Sequence, residues 1–378
     1  MNIEEKVKII TQNLDEVIGK EEIKEILKSN TSINHYIGFE ISGKLHIGSG
    51  FMTAYKIRDL QKAGINTTIF LADWHTIIND KLGGNKTNIR DIGIPYFIEA
   101  FKAVLKAVGA NPSQTKFVTG SQLYHNNDTF WENLIDIAKN VNLSRVKRSI
   151  DILGRSEGES IDFAKLIYPI MQVDDIFALN AHFAHAGMDQ RKAHVIARDT
   201  ALKIKVNPLI LNNKKLKPIA LHHHLLLGLT PPPKWPIDKK TSIRELWASL
   251  KMSKSKPGSA IFVTDTPEEI KDKIKKAFCP EGEIEFNPII DWVNHLFFKQ
   301  IKNFKLKIKR KDIYGGNVVY ENFDTLKKDF ENKKLHPMDL KNAVAQEVIK
   351  LLEPVREHFS KKEPKKIKEA MDKLKITR

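Results

Sequence analysis

Hydrophobic and polar positions in the N-terminal part of the chain follow helical and strand periods in turn. Residues 3–29 carry apolar side chains at helical spacing among Glu and Lys, which predicts two amphipathic helices. A strand is predicted at 36–40, a helix at about 46–63, and an almost wholly apolar strand at 67–73. A strand, a glycine turn, a helix and a second strand in this order indicate a nucleotide-binding βαβ unit.

The rest of the chain divides into an α/β part and a helical part. Helices are predicted at 94–113, 128–155, 163–180 and 190–202, and strands at 116–119 and 218–221. Consecutive prolines predict a surface excursion over 230–250, and beyond Thr264 the signals are helical throughout. We therefore expect an α/β fold class, with a Rossmann-type parallel-sheet domain over 1–265 and an all-α domain over 266–378.

Charge and composition limit the kinds of partner and the classes of protein that the sequence allows. The 378 residues carry a formal net charge of +16, and the isoelectric point of about 9.5 favours a polyanionic partner. A Lys-rich surface that reflects genome composition or growth at high temperature is the alternative explanation. Cys279 is the only cysteine, which excludes a disulfide framework and a cysteine-based metal cluster. No apolar run approaches the roughly 20 residues of a membrane span, so we expect a cytoplasmic protein.

Two short motifs point to ATP chemistry. The first surrounds Gly43, His46 and Gly48, where glycines allow close approach of backbone to a ligand and a helix start offers N–H groups to phosphate. The second is a loop that contains Lys251 and Lys254, whose charges can stabilise pyrophosphate as it leaves. Alone, the first motif is explained by a structural histidine and the second by a solvated basic turn. Together they favour an ATP site.

A third pattern lies on one predicted helix. Tyr168, Gln172 and Asp175 fall at i, i+4 and i+7 and share one face. The alternative is that this face is only the solvent-exposed face of the helix. We expect the neighbouring Asp174 to lie on the solvent-exposed face, which leaves the other three polar residues for a buried pocket.

Taken together, these segments resemble those of the class I aminoacyl-tRNA synthetases. The sequence that flanks them resembles that of the tyrosyl-tRNA synthetases of archaeal and eukaryotic type. The narrower resemblance is carried by 71–75, 167–176 and 188–192 in the first part and by 335–344 in the second. It implies L-tyrosine, ATP with Mg²⁺ and tRNA(Tyr) as substrates, a homodimer, and no dedicated protein metal site. It also implies that an insertion around 120–165 forms the dimer and contacts the acceptor stem, and that 266–378 binds the anticodon.

The resemblance also assigns residues. The catalytic residues implied are His46, Gly48, Lys251, Lys254 and Ser255. The ATP-binding residues implied are Gly43, His46, Gly48, Lys251, Met252, Ser253 and Lys254. The tyrosine-binding residues implied are Tyr36, Gly38, Glu40, Ala72, His75, Tyr168, Gln172, Asp175 and Gln190. Among these, Asp175 and Tyr36 are expected to bind the phenol oxygen, while Tyr168, Gln172 and Gln190 surround the α-amino group. Ser49 departs from the family, which usually has His there.

The physical chemistry of that pocket fits tyrosine. A buried carboxylate and a phenol pair with a substrate hydroxyl, whereas phenylalanine would leave both without a partner; tyrosyl-tRNA synthetases are themselves the standard example of this discrimination. The nearest alternative is a tryptophanyl enzyme, whose substrate presents an N–H donor and which usually has Ala in place of Lys254. A paralogue without catalysis and a coenzyme-forming nucleotidyltransferase are further alternatives. The intact lysine loop argues against the first, and the helical C-terminal part argues against the second.

The tRNA contacts implied by the resemblance are Arg148, Arg191, Lys192, Phe297, His336 and Asp339. Asp339 is expected to pair with the first anticodon base, with a helix N-cap as the alternative role. The aromatic residue that stacks on this base comes from 296–298, and Phe297 is our choice. No zinc site is expected at 222–224, because neighbouring residues of a strand point to opposite faces. His223 and His224 align with the family's Asn-Pro, at the strand end that leads to the ATP loop.

Overall fold

The computed structural model describes residues 1–29, 31–154, 162–233, 235, 250–252 and 257–374. Its strands are β1 (Glu16–Ile18), β2 (Asn34–Phe39), β3 (Asn66–Leu71), β4 (Thr115–Thr119), β5 (Phe183–Gly187), β6 (Ile210–Leu211), β7 (Lys214–Lys215), β8 (Ile219–His223), β9 (Leu306–Ile308) and β10 (Val318–Tyr320). Its α-helices are α1 (Ile3–Thr11), α2 (Ile23–Lys28), α3 (Ile47–Lys62), α4 (Asp73–Ile78), α5 (Ile94–Ala107), α6 (Gly120–Tyr124), α7 (Asp128–Lys139), α8 (Leu143–Arg148), α9 (Ala164–Ala178), α10 (Arg191–Thr200), α11 (Pro267–Lys276), α12 (Pro288–Trp292), α13 (Phe323–Glu331), α14 (Pro337–Phe359) and α15 (Lys362–Asp372).

A six-stranded sheet with the order β1-β8-β5-β2-β3-β4 forms the centre of the first part. The five strands from β8 to β4 are parallel, and β1 pairs antiparallel with β8 at the edge. Parallel strands place their carboxyl ends at one edge, where α/β proteins bind ligands. The predicted Rossmann-type sheet, including its βαβ unit of β2, α3 and β3, is confirmed.

Side chains that alternate along the strands of the sheet pack into two separate hydrophobic cores. Ile37, Ile69 and Leu71 pack on the side that also holds α3 and α5. Tyr36 and Phe70 point to the opposite side, where α7, α9 and α10 pack. Because successive residues of a strand face opposite sides, one strand contributes to both layers. The result is a sheet between two helical layers.

The prediction of two helices over 3–29 was incomplete. Both helices form, and α1 begins with a capping box in which Asn2 and Glu5 bond reciprocally. Between them, however, Glu16–Ile18 forms β1 and pairs with His222, Leu221 and Ala220 of β8. The strand extends the sheet, so residues assigned to a helix by their spacing lie in a strand.

The C-terminal part is mainly helical, as predicted, with a short antiparallel pair of β9 and β10 that was not predicted. The helix α11 begins at a capping box of Thr266 and Glu269, with Pro267 at its first position. The long helix α14 packs against both α11 and α5, so one hydrophobic core continues from the sheet into this part. The boundary at 265/266 stays a prediction. Within the described residues, no helix is both long and apolar enough to cross a membrane.

Candidate active site

The first ATP motif is held against the segment that follows the lysine loop. The amide of Ile47 donates to the Ile261 carbonyl at 2.9 Å, and the amide of Val263 donates to the Leu45 carbonyl at 2.9 Å. These bonds place His46 opposite Phe262 in an isolated antiparallel bridge. The start of α3 and the end of the loop therefore form one unit.

The beginning of the lysine loop is anchored beside the same unit. The Met252 amide donates to the Leu226 carbonyl at 2.9 Å, and the Gly228 amide donates to the Leu250 carbonyl at 2.7 Å. A side chain at residue 228 would meet the Leu250 carbonyl oxygen at 3.2 Å, so glycine permits this close approach. The structure thus brings Met252 and Lys251 to the first motif. Ser253, Lys254 and Ser255 lie outside the described residues.

His46 is the N-cap of α3. Its Nδ1 accepts from the Ser49 amide at 3.2 Å, and the Ser49 hydroxyl donates back to the His46 carbonyl at 3.3 Å. Ser49 therefore supports the helix start in the position where the family usually has His. Gly43 has a φ of +124°, a conformation that favours glycine, and a side chain on Gly48 would lie 3.2 Å from His46 Nδ1.

Lys251 forms an ion pair with Asp189, which follows β5. Burial raises the pKa of the Asp189 carboxyl, but Lys251 outweighs it, and the pKa lies below its ordinary value. Asp189 is thus held as a carboxylate by Lys251. A lysine whose only side-chain partner among the described residues is one carboxylate can exchange that carboxylate for a phosphate.

The carboxylate predicted to bind a phenol lies deep between the sheet and α9. Asp175 is 1% exposed, and its Oδ1 accepts from the Tyr124 hydroxyl at 2.6 Å. Burial, together with Asp174, raises the pKa of Asp175 well above its ordinary value, against the effect of the Tyr124 hydrogen bond. His75 Nε2 lies 3.5 Å from the other oxygen, and burial lowers the pKa of His75 to about 3. The pair therefore meets as a carboxyl group and a neutral imidazole.

Tyr36 also belongs to this end of the pocket. It is buried, and both burial and Asp175 raise its pKa, so the phenol keeps its proton. A side chain on Gly38 would lie 2.8 Å from the Tyr36 hydroxyl. Glycine at 38 is therefore what allows the ring to lie along the strand. Ala72, at the end of β3, belongs to the same hydrophobic cluster as Tyr36.

The other end of the pocket presents amides. Gln172 Nε2 donates to Gln190 Oε1 at 3.1 Å, and Gln190 Nε2 donates to the Ile152 carbonyl at 3.0 Å. This fixed pair leaves the buried Gln172 Oε1 without a hydrogen-bond partner among the described residues. A buried acceptor without a partner is costly, and an ammonium donor would satisfy it.

Tyr168 and Glu40 close this end. The Tyr168 hydroxyl bonds to the Glu40 carboxylate, and burial with Glu40 raises the pKa of Tyr168. Asn79 Nδ2 donates to Glu40 Oε1 at 2.8 Å, while the rings of His75 and Tyr168 meet edge to face at 4.6 Å. The predicted tyrosine-binding residues are therefore brought together by four elements of the fold.

The expectation that Asp174 faces water was wrong. Asp174 is 0% exposed, because α9 packs against both α7 and α10 and has no wet side at this turn. Asn133 Nδ2 donates to its Oδ1 at 2.5 Å, and its Oδ2 has no partner within the described part of the chain. Burial raises the pKa of Asp174 to about 7. The argument from Asp174 was therefore incorrect, although the three polar residues do line the pocket.

Tyr124 is a pocket residue that sequence reasoning missed. It lies in the short helix α6, is 4% exposed and stacks on Phe130 with ring centroids 4.2 Å apart. No motif marks it, since only the folded sheet brings α6 to α9. A signal was present in its capping box, in which Thr119 and Gln122 start a helix directly after β4 at the ligand-binding edge.

Comparison with known proteins identifies the family. A family model described as tRNA synthetases class I (W and Y) matches residues 28–353. A tyrosine–tRNA ligase of Thermococcus sibiricus is 52% identical over 379 aligned positions, covering 100% of both chains. The chain belongs to the tyrosyl-tRNA synthetases. A crystal structure of the Pyrococcus horikoshii tyrosyl-tRNA synthetase complexed with L-tyrosine superposes with a TM-score of 0.94 at 48% identity, covering 98% of this chain and 100% of that one.

The same comparisons weigh against the tryptophanyl alternative. A Plasmodium falciparum tryptophanyl-tRNA synthetase shares the fold, with a TM-score of 0.66 over 98% of this chain and 90% of that one, but only 15% of the sequence. At that identity the likeness concerns the fold alone. The full-length identity to archaeal tyrosine–tRNA ligases is more than three times higher.

The predicted acceptor-stem residues of this tyrosyl-tRNA synthetase lie together but carry acidic partners. Arg191 Nε pairs with Glu16 at 2.7 Å, and Lys192 Nζ pairs with Asp151 at 2.6 Å. Lys192 also donates to the carbonyl of Arg148, whose side chain is exposed. These cations lie on one surface next to Gln190.

In the C-terminal part, the segment predicted to contact the anticodon lies at the start of α14, and the alternative role of Asp339 as N-cap is wrong. His336 is the N-cap and accepts from the Met338 amide at 3.1 Å, so Asp339 lies at the third helical position and is not the cap. Phe297 was the wrong choice for a base-stacking residue. It is 1% exposed and stacked on Phe304, with ring centroids 5.2 Å apart. Phe298 is half-buried beside it.

The three consecutive histidines have three different sets of partners. His222 Nδ1 contacts Glu16 at 2.8 Å, and His223 Nδ1 contacts His185 at 2.8 Å. His224 contacts Asp15 at 3.0 Å with one nitrogen and Asp291 at 2.7 Å with the other. The three side chains therefore point to separate partners.

One group of possible metal ligands does lie near this strand. Asp15, His224 and His295 place one ligand atom each within 4.8 Å of one another. Both His224 nitrogens already face carboxylates, and its ring stacks on His295 with centroids 3.6 Å apart, so their lone pairs cannot converge on one ion. Against the effect of burial, Asp291 and Asp15 raise the pKa of His224 to about 9. The cluster is an imidazolium between two carboxylates.

The size of surface cavities does not locate the active site. Cavities of about 330 and 250 Å³ lie in the C-terminal part, one beside α15 and one between α12 and α13. Neither is lined by the tyrosine or ATP residues. The site is therefore assigned from the chemistry of its side chains.

Proposed function

We propose that this chain activates L-tyrosine with ATP to form tyrosyl-adenylate and pyrophosphate, and then transfers tyrosine to the 3′ end of tRNA(Tyr) in the cytoplasm. Archaeal relatives of equal length and about half-identical sequence are named tyrosine–tRNA ligases, which supports the reaction. The observation that carries the proposal is the buried Asp175 paired with Tyr124, in the same domain as the two joined ATP motifs.

The pocket recognises tyrosine at both of its ends. Asp175 and Tyr36 bind the phenol oxygen, and Tyr124 holds the Asp175 carboxyl in place by donating to its Oδ1. The Gln172 Oε1 accepts from the α-ammonium group, which Tyr168 and Gln190 surround. Because the phenol group and the ammonium group of tyrosine are bound at fixed positions, the carboxylate of the substrate points towards the ATP motifs.

The tyrosine carboxylate attacks the α-phosphorus of ATP, and the bond from that phosphorus to the bridging oxygen of pyrophosphate breaks. His46 and the N–H groups at the start of α3 contact the phosphates from one side. Lys251, released from Asp189, and Lys254 contact them from the other, where negative charge increases as pyrophosphate leaves. Mg²⁺ that arrives with ATP supplies further neutralisation of the β- and γ-phosphates. Asp189 and the other pocket carboxylates already have partners, so no dedicated metal site is proposed.

The tRNA is bound at two places. Arg148, Arg191 and Lys192 contact the acceptor end, since they form a basic surface next to Gln190. In the C-terminal part, His336 and Asp339 at the start of α14 contact the anticodon, and Phe298 in place of Phe297 is the stacking residue. The excess positive charge of +16 supports binding of a polyanion by both parts.

A homodimer forms through the insertion around 120–165. Large apolar side chains are exposed on this region in the single chain, namely Trp131, Ile135, Leu143 and Phe163. Such a group is unusual on a surface that faces only water and is typical of a protein interface. Sedimentation of the chain should give twice the monomer mass, and Ile135→Glu should shift it towards the monomer.

Pyrophosphate exchange with each of the twenty amino acids tests the proposed reaction. Exchange should require tyrosine, and charging of tRNA(Tyr) should follow with the same preparation. A Lys254→Ala variant should lower kcat for adenylate formation with little change in tyrosine binding, because its charge acts mainly as pyrophosphate leaves. Exchange with tryptophan but not with tyrosine would contradict the proposal.

A further inference from the structure

The antiparallel pair of β9 and β10 forms a hairpin with one face exposed to solvent. Lys307 on β9 pairs in register with Val319 on β10, and both side chains are exposed. Leu306 and Ile308, on either side of Lys307, are buried in the hydrophobic core. Because successive residues of a strand point to opposite faces, one face of the hairpin packs on the core and the other is open to a partner.

The segment that contains the hairpin is strongly basic. Residues 299–320 include seven lysine or arginine residues and one acidic residue, which gives a formal net charge of +6. Lys305 pairs with Glu321 at 2.6 Å. Three exposed lysines at alternating positions have no carboxylate within ion-pair distance in the described ranges, namely Lys307, Lys309 and Lys311. Three unpaired ammonium groups so close in the chain favour a polyanion as the partner.

An aromatic side chain is exposed in the turn of the hairpin. Asp312–Tyr314 forms a short 3₁₀ helix, and the chain continues through Gly315 and Gly316 with φ of +90° and +66°, which favour glycine. In this turn Ile313 is 79% exposed and Tyr314 is 66% exposed. The Tyr314 side chain makes no hydrogen bond or ring contact with the rest of the described chain. An exposed ring beside unpaired lysines is the combination with which proteins bind single-stranded nucleic acid.

The hairpin is fixed next to the residues proposed to contact the anticodon. Arg310 Nε donates to the Gly316 carbonyl at 2.6 Å, which holds the turn together. Arg310 Nη1 donates to the Lys334 carbonyl at 3.0 Å. Lys334 is two residues before His336, the N-cap of α14. The lysines on either side of Arg310 in the sequence therefore lie close to the proposed anticodon site.

We infer that this hairpin binds the anticodon arm of the tRNA, with the lysines at 307, 309 and 311 on its phosphates and the Tyr314 ring on an unpaired base. The inference rests on the proposed function, since it adds a contact beside the residues proposed to bind the anticodon. Phosphate contacts and stacking do not depend on the identity of the base. The hairpin therefore adds affinity for the tRNA, whereas Asp339 adds preference for a base.

Two alternatives explain a basic face with exposed apolar side chains. An anionic membrane surface attracts such a face, and a lysine-rich surface covered only by water needs no partner. The bond from Arg310 to Lys334 favours RNA, because it makes the hairpin continuous with the proposed anticodon site.

The first test measures the Kd of a tRNA(Tyr) transcript against salt concentration, for the wild type and for a hairpin variant that combines Lys307→Gln, Lys309→Gln and Lys311→Gln. Each phosphate contact to a single strand contributes about 0.7 to the slope of log K against log salt. Loss of three contacts should make the slope less steep by about 2. The affinity advantage of the wild type over the variant should fall about twentyfold between roughly 50 and 200 mM salt.

The matched control removes the same charge elsewhere in the C-terminal part. It combines Lys361→Gln, Lys362→Gln and Lys365→Gln, which are exposed lysines without an ion pair in the part of the chain described. They lie beyond the other end of α14, whose 23 residues span about 35 Å. This variant should keep the wild-type salt slope. Since all the substituted side chains are exposed, both variants should unfold in urea at the wild-type midpoint.

The second test concerns the ring and the place of contact. Tyr314→Ala should weaken binding of the transcript at least about fivefold and leave the salt slope unchanged, because a neutral ring releases no counterions. Tyr314→Phe keeps the ring and should keep the wild-type Kd. Ethylation of phosphates in the anticodon arm should weaken binding to the wild type, and at the contacted phosphates it should not weaken binding to the hairpin variant further.

Each outcome decides the inference. Equal losses in the hairpin variant and the control would show a general effect of charge and overturn the hairpin contact, as would the same ethylation pattern in the wild type and the hairpin variant. A wild-type Kd in Tyr314→Ala would overturn the stacking. Binding of the wild type to phosphatidylserine vesicles, with unchanged tRNA binding by the hairpin variant, would assign the face to a membrane.

The same measurements separate the inference from the proposed function. If the transcript binds through the hairpin but the wild type shows no tyrosine-dependent pyrophosphate exchange, the proposed function fails alone. If exchange and charging are normal and the hairpin variant binds the transcript as the wild type does, the inference fails alone.

Discussion

His224 is expected to make the stability of this protein depend on pH. It bridges Asp15, near the N-terminus, and Asp291, in α12, and these carboxylates raise its pKa from the ordinary 6.5 to about 9 against the effect of burial. A histidine with a raised pKa stabilises the folded state fully below pH 6.5 and loses that contribution as the pH rises through 9. The shift corresponds to about 3 kcal/mol at most. Only 9% of the His224 side chain is exposed, so solvent screens the interaction little.

The measurement is urea unfolding of the wild type and of His224→Gln between pH 6 and 10. The difference in unfolding free energy between the two should shrink by up to about 3 kcal/mol across this range. His222→Gln is the matched control, because burial lowers the pKa of the neighbouring His222, so this histidine adds no loss of stability as the pH rises through 9. A difference between wild type and His224→Gln that stays constant from pH 6.5 to 10 would refute the imidazolium bridge.

Three further predictions concern single carboxylates. Asp175→Ala should nearly abolish tyrosine-dependent pyrophosphate exchange, since it removes the partner of the substrate phenol and leaves the Tyr124 hydroxyl without its acceptor. The loss in binding free energy should be about 1–3 kcal/mol or more. A wild-type rate with unchanged tyrosine KM would exclude Asp175 from the pocket. Burial raises the pKa of Asp174 to about 7, so the folded state is stabilised by the protonated group fully below pH 3.8 and loses that stabilisation by pH 7. Over this range the unfolding free energy of Asp174→Asn, measured in urea, should therefore rise by up to about 4 kcal/mol relative to that of the wild type. A constant difference would show that Asp174 is ionised in the folded protein. Asp339→Ala should leave pyrophosphate exchange intact and flatten the preference among transcripts that carry each base at the first anticodon position, by about 1–3 kcal/mol in kcat/KM; a retained preference would place base recognition elsewhere.

The parts of the fold that follow from local pattern were predictable from the sequence. The glycine turn before α3, the strand β2 and the almost wholly apolar strand β3 carry their own signals, because backbone approach and two-sided burial restrict the residues allowed. The i, i+4, i+7 spacing of Tyr168, Gln172 and Asp175 likewise placed them on one face. These features are determined by residues that are close to one another in the sequence.

The features that were missed depend on distant contacts. The strand β1 is three residues long and exists because β8, some two hundred residues later, offers it an edge. Asp174 is buried because two other helices cover α9, and Tyr124 meets Asp175 only across the sheet edge. Phe297 was chosen from a resemblance that left 296–298 ambiguous by one residue, and only the folded packing of its ring on Phe304 shows that it is buried.

The anchoring of the lysine loop at both ends has a kinetic consequence. Met252 is bonded to Leu226, and the segment from Ile261 to Val263 is bonded to the start of α3, so both described flanks of the loop are fixed near the glycine turn. Four residues separate Met252 from Pro257, so a fully extended chain places the Cα atoms of these two residues at most about 18 Å apart. If Lys254 contacts the ATP phosphates as proposed, so short a connection gives its ammonium group an effective concentration there in the millimolar range or above. Lengthening the stretch with glycines should lower kcat gradually, in proportion to dilution, without altering the affinity for tyrosine.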